Sequence, residues 1–536
     1  MRKLVLTALT GCGLMTGLPL LASTADHSRF AELKGPFQSG PEVTEACLGC
    51  HTEAAEQVMA TRHWTWDYDN PATGQHLGKM TMLNSFCIAT RSNEAFCTAC
   101  HTGYGWEDEH FDFSAERKVD CLVCHHDAEY AKLPGLAGHP AYERMEHPPG
   151  SGQMVEPVDL PRVAQSVGPT DRKNCGSCHF YGGGGDGVKH GDLDSSLVSP
   201  ERELDVHMAV DGLDFACATC HQTESHRVSG SRVAPTAADP HRAVLRGEPT
   251  ERNPATCQAC HGDKPHHEAV PAGLMGPVGE GARLNAHTDA LACQSCHIPR
   301  FARGGVPTKM VWDWSSAGTL DDNGQPFVIR DDDGHAVFDS KKGNFELAEN
   351  VIPDYVWFDG RVVYTLATDR IDPSGVVPVN RFLGQPRDPD ARIWPVKRFR
   401  GRQPYDTEHE ILLVPHTAIP DDTALWHNFD WDAALAEGAR AAGQPFSGQY
   451  DFVDTEMLWP ITHMVAPEHD AVACGQCHAR QGRFDAVEGI YLPGRDRLVW
   501  LDRAGFGLAA LALVGVIGHG SLRVALWRRR RRKEAA

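Results

Sequence analysis

The chain has 536 residues, 41% of them apolar, and a formal charge of −20. That length holds several domains, and that apolar share fills an ordinary packed interior rather than a membrane bundle. The acidic balance excludes a nucleic-acid binder, which needs a basic face.

Residues 1–25 read as a secretory signal. Arg2 and Lys3 precede an apolar stretch from Leu4 to Leu21, and small residues lead to a cleavage point near Ala25. LTGC at 9–12 has the form of a lipobox, but the apolar run before it is too short for an anchor, so Cys12 is expected to leave with the signal.

From residue 26 onward one unit recurs, Cys-x-x-Cys-His. It comprises Cys47, Cys50 and His51; Cys97, Cys100 and His101; Cys121, Cys124 and His125; Cys175, Cys178 and His179. It returns as Cys217, Cys220 and His221; Cys257, Cys260 and His261; Cys293, Cys296 and His297; Cys474, Cys477 and His478. A random chain of this composition holds roughly 0.03 such matches. Two thiols three positions apart reach the two vinyl groups of one porphyrin and form thioethers, and the next residue offers an axial nitrogen to iron. Zinc is disfavoured because His follows every pair and nothing groups the sites into four-ligand sets. Disulfides leave the histidines unexplained. The expected cofactor is haem c, eight copies, covalently attached. Sixteen of the 18 cysteines are thereby used, and Cys87 is left in the mature chain without a partner. A buried inert thiol is the ordinary reading of such a residue.

Electron-transfer haems want a second strong axial ligand, usually His. The candidates by their settings are His63, His190, His207, His226, one of His266 and His267 (His267 being the choice), His287 and His463. These are seven ligands for eight irons. The stretch FYGGGGDGVKHGDLDSS, 180–196, holds a glycine run that lets backbone approach a flat macrocycle, and neighbouring Lys189 and His190 whose side chains diverge. From spacing alone, Lys189 reads either as a solvated lysine in a glycine loop or as the eighth distal ligand, which requires a neutral amine.

The seven-haem core is expected over 26–297, mostly short helices and loops. Residues 298–473 form a haem-free, loop-rich insertion with short strands such as FVIRDDDGHAVFD, and DDNG and DDDG read as solvated turns rather than calcium loops. Residues 474–502 carry the eighth haem and a linker. Residues 503–527 form one transmembrane helix bracketed by Trp500 and Trp527, with His519 inside it; 528–536 is a basic cytoplasmic tail. The fold class expected is mostly α with extensive loops, on the periplasmic side of the inner membrane.

SNEAFCTACHTGYGWEDEHFDF, VDCLVCH, NCGSCHFYGGGGDGVKHGDLDSS, DVHM and YLPGRDRLVWLDRAGF closely resemble the tetrathionate-reductase family of octahaem cytochromes c, from about residue 36 to the C-terminus. The chain departs mildly in having His126 directly after the third motif. The resemblance implies one His/Lys haem, at the second motif, with Lys189 opposite His101 and the other seven bis-histidine. It implies Asp186, Asn84 and Cys87 beside that haem as catalytic residues, and reductive cleavage of tetrathionate, with nitrite and hydroxylamine as other small substrates. The Cys-x-x-Cys-Lys of ammonia-forming nitrite reductases is absent. The expected partners are a quinol-oxidising membrane cytochrome or a periplasmic electron donor. The alternative function is a pure electron carrier with no substrate of its own.

Overall fold

The computed structural model describes residues 25–230, 243–245, 248–250, 255–267, 279–496 and 498–535. The signal segment before Ala25, Cys12 included, lies outside the described residues.

Seven motifs lie before residue 300, and their helices are short. Leu122–His125, Cys217–Cys220 and Gln294–His297 are single turns, and Arg172–His179 is among the longer ones. The last starts at a capping box in which Asp171 Oδ1 accepts from the backbone of Lys173 and Asn174. Single turns suffice because a macrocycle is meant to supply the apolar surface that a longer helix would otherwise bury.

The expectation of a mostly α fold is corrected by residues 298–473. These contain a nine-stranded sheet rather than a few hairpins. Its spine is the strand Arg392–Asp406, antiparallel to Tyr450–Pro460 along its length, parallel to Thr308–Asp313, and paired with Asp354–Phe358 and Ile411–Leu412. Gly343–Ala348, Ala336–Asp339 and Val328–Arg330 extend the sheet beyond Thr308–Asp313. The largest apolar core lies here, built on Trp312, Trp314, Phe345, Phe399, Leu412, Val414 and Trp459. Phe86, Ile88 and Val188 from the motif-bearing half are part of the same core. The sheet therefore forms a wall for the segments around Cys87 and Lys189. At DDNG and DDDG, Asp321 and Asp331 each accept backbone N–H groups two and four residues on, as solvated turns do.

The C-terminal helix runs Val499–Glu534, longer than the 503–527 span expected, with a mean hydropathy of 1.7 in its most apolar window and no buried residue. It is long and apolar enough to cross a membrane. Just before it, Arg495 donates to the carbonyls of Phe484, Val487 and Ile490, and the His478 ring meets the carbonyl of Pro493 at 3.2 Å. The eighth motif is thus fastened to a point six residues from the helix.

Candidate functional site

Seven of the eight motif histidines face another histidine ring. His51 faces His27 at 6.3 Å between ring centres, His125 faces His226 at 6.5 Å, and His179 faces His63 at 6.4 Å. His221 faces His463 at 6.3 Å, His261 faces His207 at 6.1 Å, His297 faces His266 at 6.2 Å and His478 faces His287 at 6.0 Å. Two imidazoles bound through nitrogen on opposite sides of one metal, each about 2 Å from it, have centres roughly 6 Å apart. The ring spacing and the flanking thiols fit a covalently bound bis-histidine haem at each of these positions.

Two of these assignments differ from the sequence expectation. His27, not in the expected set, stands opposite His51. His266 rather than His267 stands opposite His297, its backbone and ring both bonded to Asn285 Oδ1. The ring of His190 meets Trp459 edge-on at 4.9 Å. His63, His207, His226, His287 and His463 each face a motif histidine.

His101 differs from the other seven. Among the described residues no histidine ring faces it. It is fully buried within Trp64, Trp66, Trp106 and Phe111, with Nε2 on the Trp64 carbonyl at 2.6 Å and Nδ1 buried without a hydrogen-bond partner. Burial, helped by Lys132, pushes its pKa down to about 3, so the ring is neutral, the state in which imidazole binds a metal.

Cys87 is within electrostatic reach of Cys97 of this second motif. Asn84 shapes the turn that carries the thiol. Its Oδ1 accepts from the backbone of Phe86 and Cys87 at 3.1 and 2.7 Å, and its Nδ2 donates to Ile88 O at 3.1 Å. The turn leaves buried Ile88 at φ +65°, an outlier for a β-branched residue, of the kind that clusters at functional sites. The glycine loop closes over the thiol, with Sγ 3.6 Å from Gly183 O. A Cβ on Gly184, at φ +87°, would stand 3.1 Å from that sulfur, so the approach needs glycine. Burial pushes the Cys87 thiol above its usual pKa, while Lys342, Lys309 and Lys79 pull against that shift.

Lys189 closes the same loop and is 4% exposed, its Nζ 4.5 Å from the centre of the Trp459 ring. The structure thus brings Asn84, Cys87 and the loop of Lys189 together near the second motif. Asp186 turns elsewhere: its carboxylate accepts from the backbone and hydroxyl of Ser195. Lys309 and Lys342 were not visible as site residues in the sequence, since each stands in a different strand or turn of the insertion.

Comparison with known proteins fits this geometry. The structure matches that of an octahaem cytochrome c from Shewanella oneidensis with a TM-score of 0.73 and 38% identity, over 87% of this chain and 96% of that one. The chain belongs to the octahaem cytochromes c. The family described as bacterial cytochrome c matches residues 309–481. An uncharacterised protein of Archaeoglobus fulgidus is 26% identical over 264 residues, 42% of this chain and 86% of that protein.

In this octahaem cytochrome the attachment sulfurs, which become thioethers, also reveal which haem sites adjoin. Cys47 and Cys121, Cys100 and Cys178, Cys175 and Cys217, and Cys257 and Cys293 are close neighbours. Cys124 and Cys175, Cys220 and Cys260, and Cys296 and Cys477 lie within electrostatic reach. The sites therefore adjoin in the order first, third, fourth, fifth, sixth, seventh, eighth, and the second joins at the fourth.

Proposed function

We propose that this octahaem cytochrome is a membrane-anchored periplasmic reductase that cleaves tetrathionate to two thiosulfates at the second motif, with nitrite and hydroxylamine as further substrates. The observation that carries this reading is the difference of His101 from its seven counterparts, together with a thiol, Cys87, within electrostatic reach of Cys97 of the same motif. The haems supply storage and transfer of single electrons.

In this reading buried Lys189, together with His101, would hold the haem attached at the second motif. Cys87 attacks one central sulfur of tetrathionate and releases one thiosulfate together with the thiol proton. Two electrons and one proton then free the second thiosulfate and restore the thiol. The overall change takes two electrons and no net proton. Asn84 holds the backbone of Cys87 in the strained turn, and Asp186 fixes the far end of the glycine loop against Ser195.

The electron source proposed is a quinol-oxidising membrane cytochrome, or another periplasmic donor. The Val499–Glu534 helix, with Arg528 to Lys533 on the cytoplasmic side, supports this. Six residues span at most about 20 Å, so Pro493, on which His478 rests, stays close to the membrane face. The eighth site is then the natural port, and the chain of adjoining sites leads from it to the fourth and on to the second.

The test is reoxidation of the fully reduced protein by tetrathionate, followed in the haem spectrum. The expected result is prompt reoxidation of the wild type and a rate at least about tenfold slower in Cys87→Ala. Equal rates remove Cys87 from the reaction, and no reoxidation of either favours a pure electron carrier.

A further inference from the structure

We propose that the ammonium groups of Lys309 and Lys342 form an anion cradle beside Cys87 that takes a sulfur oxyanion of charge −2, tetrathionate or its product thiosulfate. This rests on the reading of the Cys87 site as catalytic and names what holds the substrate there.

Lys309 stands on the strand Thr308–Asp313, its Nζ 3.9 Å from the centre of Trp312 and 3.4 Å from that of Phe345. Lys342 lies in the turn before Gly343–Ala348, its Nζ 5.4 Å from the centre of Trp426, and its carbonyl accepts from Trp312 Nε1 at 2.8 Å. Trp312 in turn stacks on Trp314 at 5.0 Å and 9°. Trp312 also lies 3.8 Å from where a Gly184 Cβ would stand, and Cys87 Sγ lies 3.1 Å from the same point. Thiol, indole and both lysines therefore share one small volume.

Both ammonium groups act electrostatically on Cys87, and each on the other. Neither is in a salt bridge among the described residues; Asp339 is an opposing charge felt by Lys309 from a distance. Packing over an aromatic face accounts for each lysine taken singly. It does not account for two like charges held half-buried side by side, which repel unless an anion joins them. The indole Nε1 of Trp426, beneath Lys342, is buried without a hydrogen-bond partner, a donor that a sulfonate oxygen satisfies. Acidic residues outnumber basic ones in this chain by 71 to 51, which makes two unpaired lysines at one thiol harder to read as chance placement.

The experiment is calorimetric titration of thiosulfate into the oxidised, full-length holoprotein, with Lys309→Gln, Lys342→Gln and the charge-keeping Lys309→Arg. An unchanged haem spectrum reports that each variant is folded and loaded. The expected result is one site per chain in the wild type, weakened at least about tenfold in each Gln variant and by added salt, and largely kept in Lys309→Arg. Equal affinity in wild type and both Gln variants, or no binding by the wild type, overturns the cradle. Binding that weakens as expected in a protein that tetrathionate does not reoxidise supports the cradle and overturns the tetrathionate reaction instead.

Discussion

The Nζ of Lys397 donates to the carbonyl of Val188 at 2.7 Å, so the spine strand of the sheet grips the backbone one residue before Lys189. The same amine reaches Lys189 O at 3.2 Å and the hydroxyl of Thr308, which itself donates to Gly187 O at 2.6 Å. Lys397 is fully buried, and burial holds its pKa well below the usual lysine value. Lys397→Met removes the donor and leaves buried carbonyls unpaired, costing about 1–3 kcal/mol. The expected outcome is a lower Tm together with a changed low-temperature EPR signal from the second haem site alone. A lower Tm with all eight signals intact refutes the positioning role.

Gly184→Ala places a methyl group 3.1 Å from Cys87 Sγ at a backbone φ of +87°. The strain costs about 1–2 kcal/mol, and the thiol must shift. Tetrathionate turnover is expected to fall at least about fivefold, as the displaced thiol misses the reacting sulfur. Gly74→Ala, at φ +69° with open space around it, is the control for strain without contact. Equal turnover in the two variants removes the contact from the argument.

Burial and neighbouring Lys342 push Lys309 down to about 7, with Cys87 and Asp339 opposing the shift. Lys309 is therefore charged below that value and neutral above it, while the buried Cys87 thiol, its pKa raised, stays protonated. Thiosulfate affinity is expected to fall as pH rises through roughly 6 to 8.5, and Lys309→Gln to flatten the profile. The unfolded chain, with lysine near 10.5, binds more protons than the folded one between the two pKa values, so this group's effect is to make stability rise with pH across that window.

His27→Ala removes the ring facing His51, whereas His190→Ala removes one that meets Trp459. The first is expected to give a single high-spin haem that binds added cyanide, and the second to keep every haem low-spin. A high-spin signal in His190→Ala alone reverses the two assignments.

Truncation after residue 496 removes a helix that buries nothing against the body. Tm is expected to stay within about 1 °C, while the protein moves from the membrane fraction to the soluble fraction. A large drop in Tm assigns the helix to the fold instead.

The attachment chemistry was legible because five adjacent residues contain all of it. The distal ligands were less so, since each pairing is set by the fold: His463 meets a ring 242 residues earlier, and His266 and His267 differ only in which one Asn285 captures. His27 carries no signal in the sequence, since it precedes the first motif by 20 residues and lies close to the end of the expected signal segment. The sheet was underestimated for a related reason. Its spine strand carries Pro395, Pro404 and a fully buried Lys397, so it lacks the apolar alternation that marks a strand, and its stability comes from the neighbours on both sides. Cys87 was visible as a remainder of cysteine counting; the lysines around it were not, because no spacing links Lys309 and Lys342 to residue 87.

The strand Tyr450–Pro460 ends just before Thr462 and His463, whose backbone N–H groups both donate to Asp192 Oδ2, and the His463 ring meets the same carboxylate oxygen at 3.3 Å. Opposite that ring stands His221, on a motif that must first be covalently loaded. This margin of the sheet is therefore joined to the rest of the chain through a cofactor at His221 as well as through Asp192. A chain that leaves the attachment machinery with its fifth motif empty keeps a sheet margin held by the Asp192 contacts alone, without the link through His221. Proteolytic quality control then has a physical handle by which to tell finished molecules from unfinished ones.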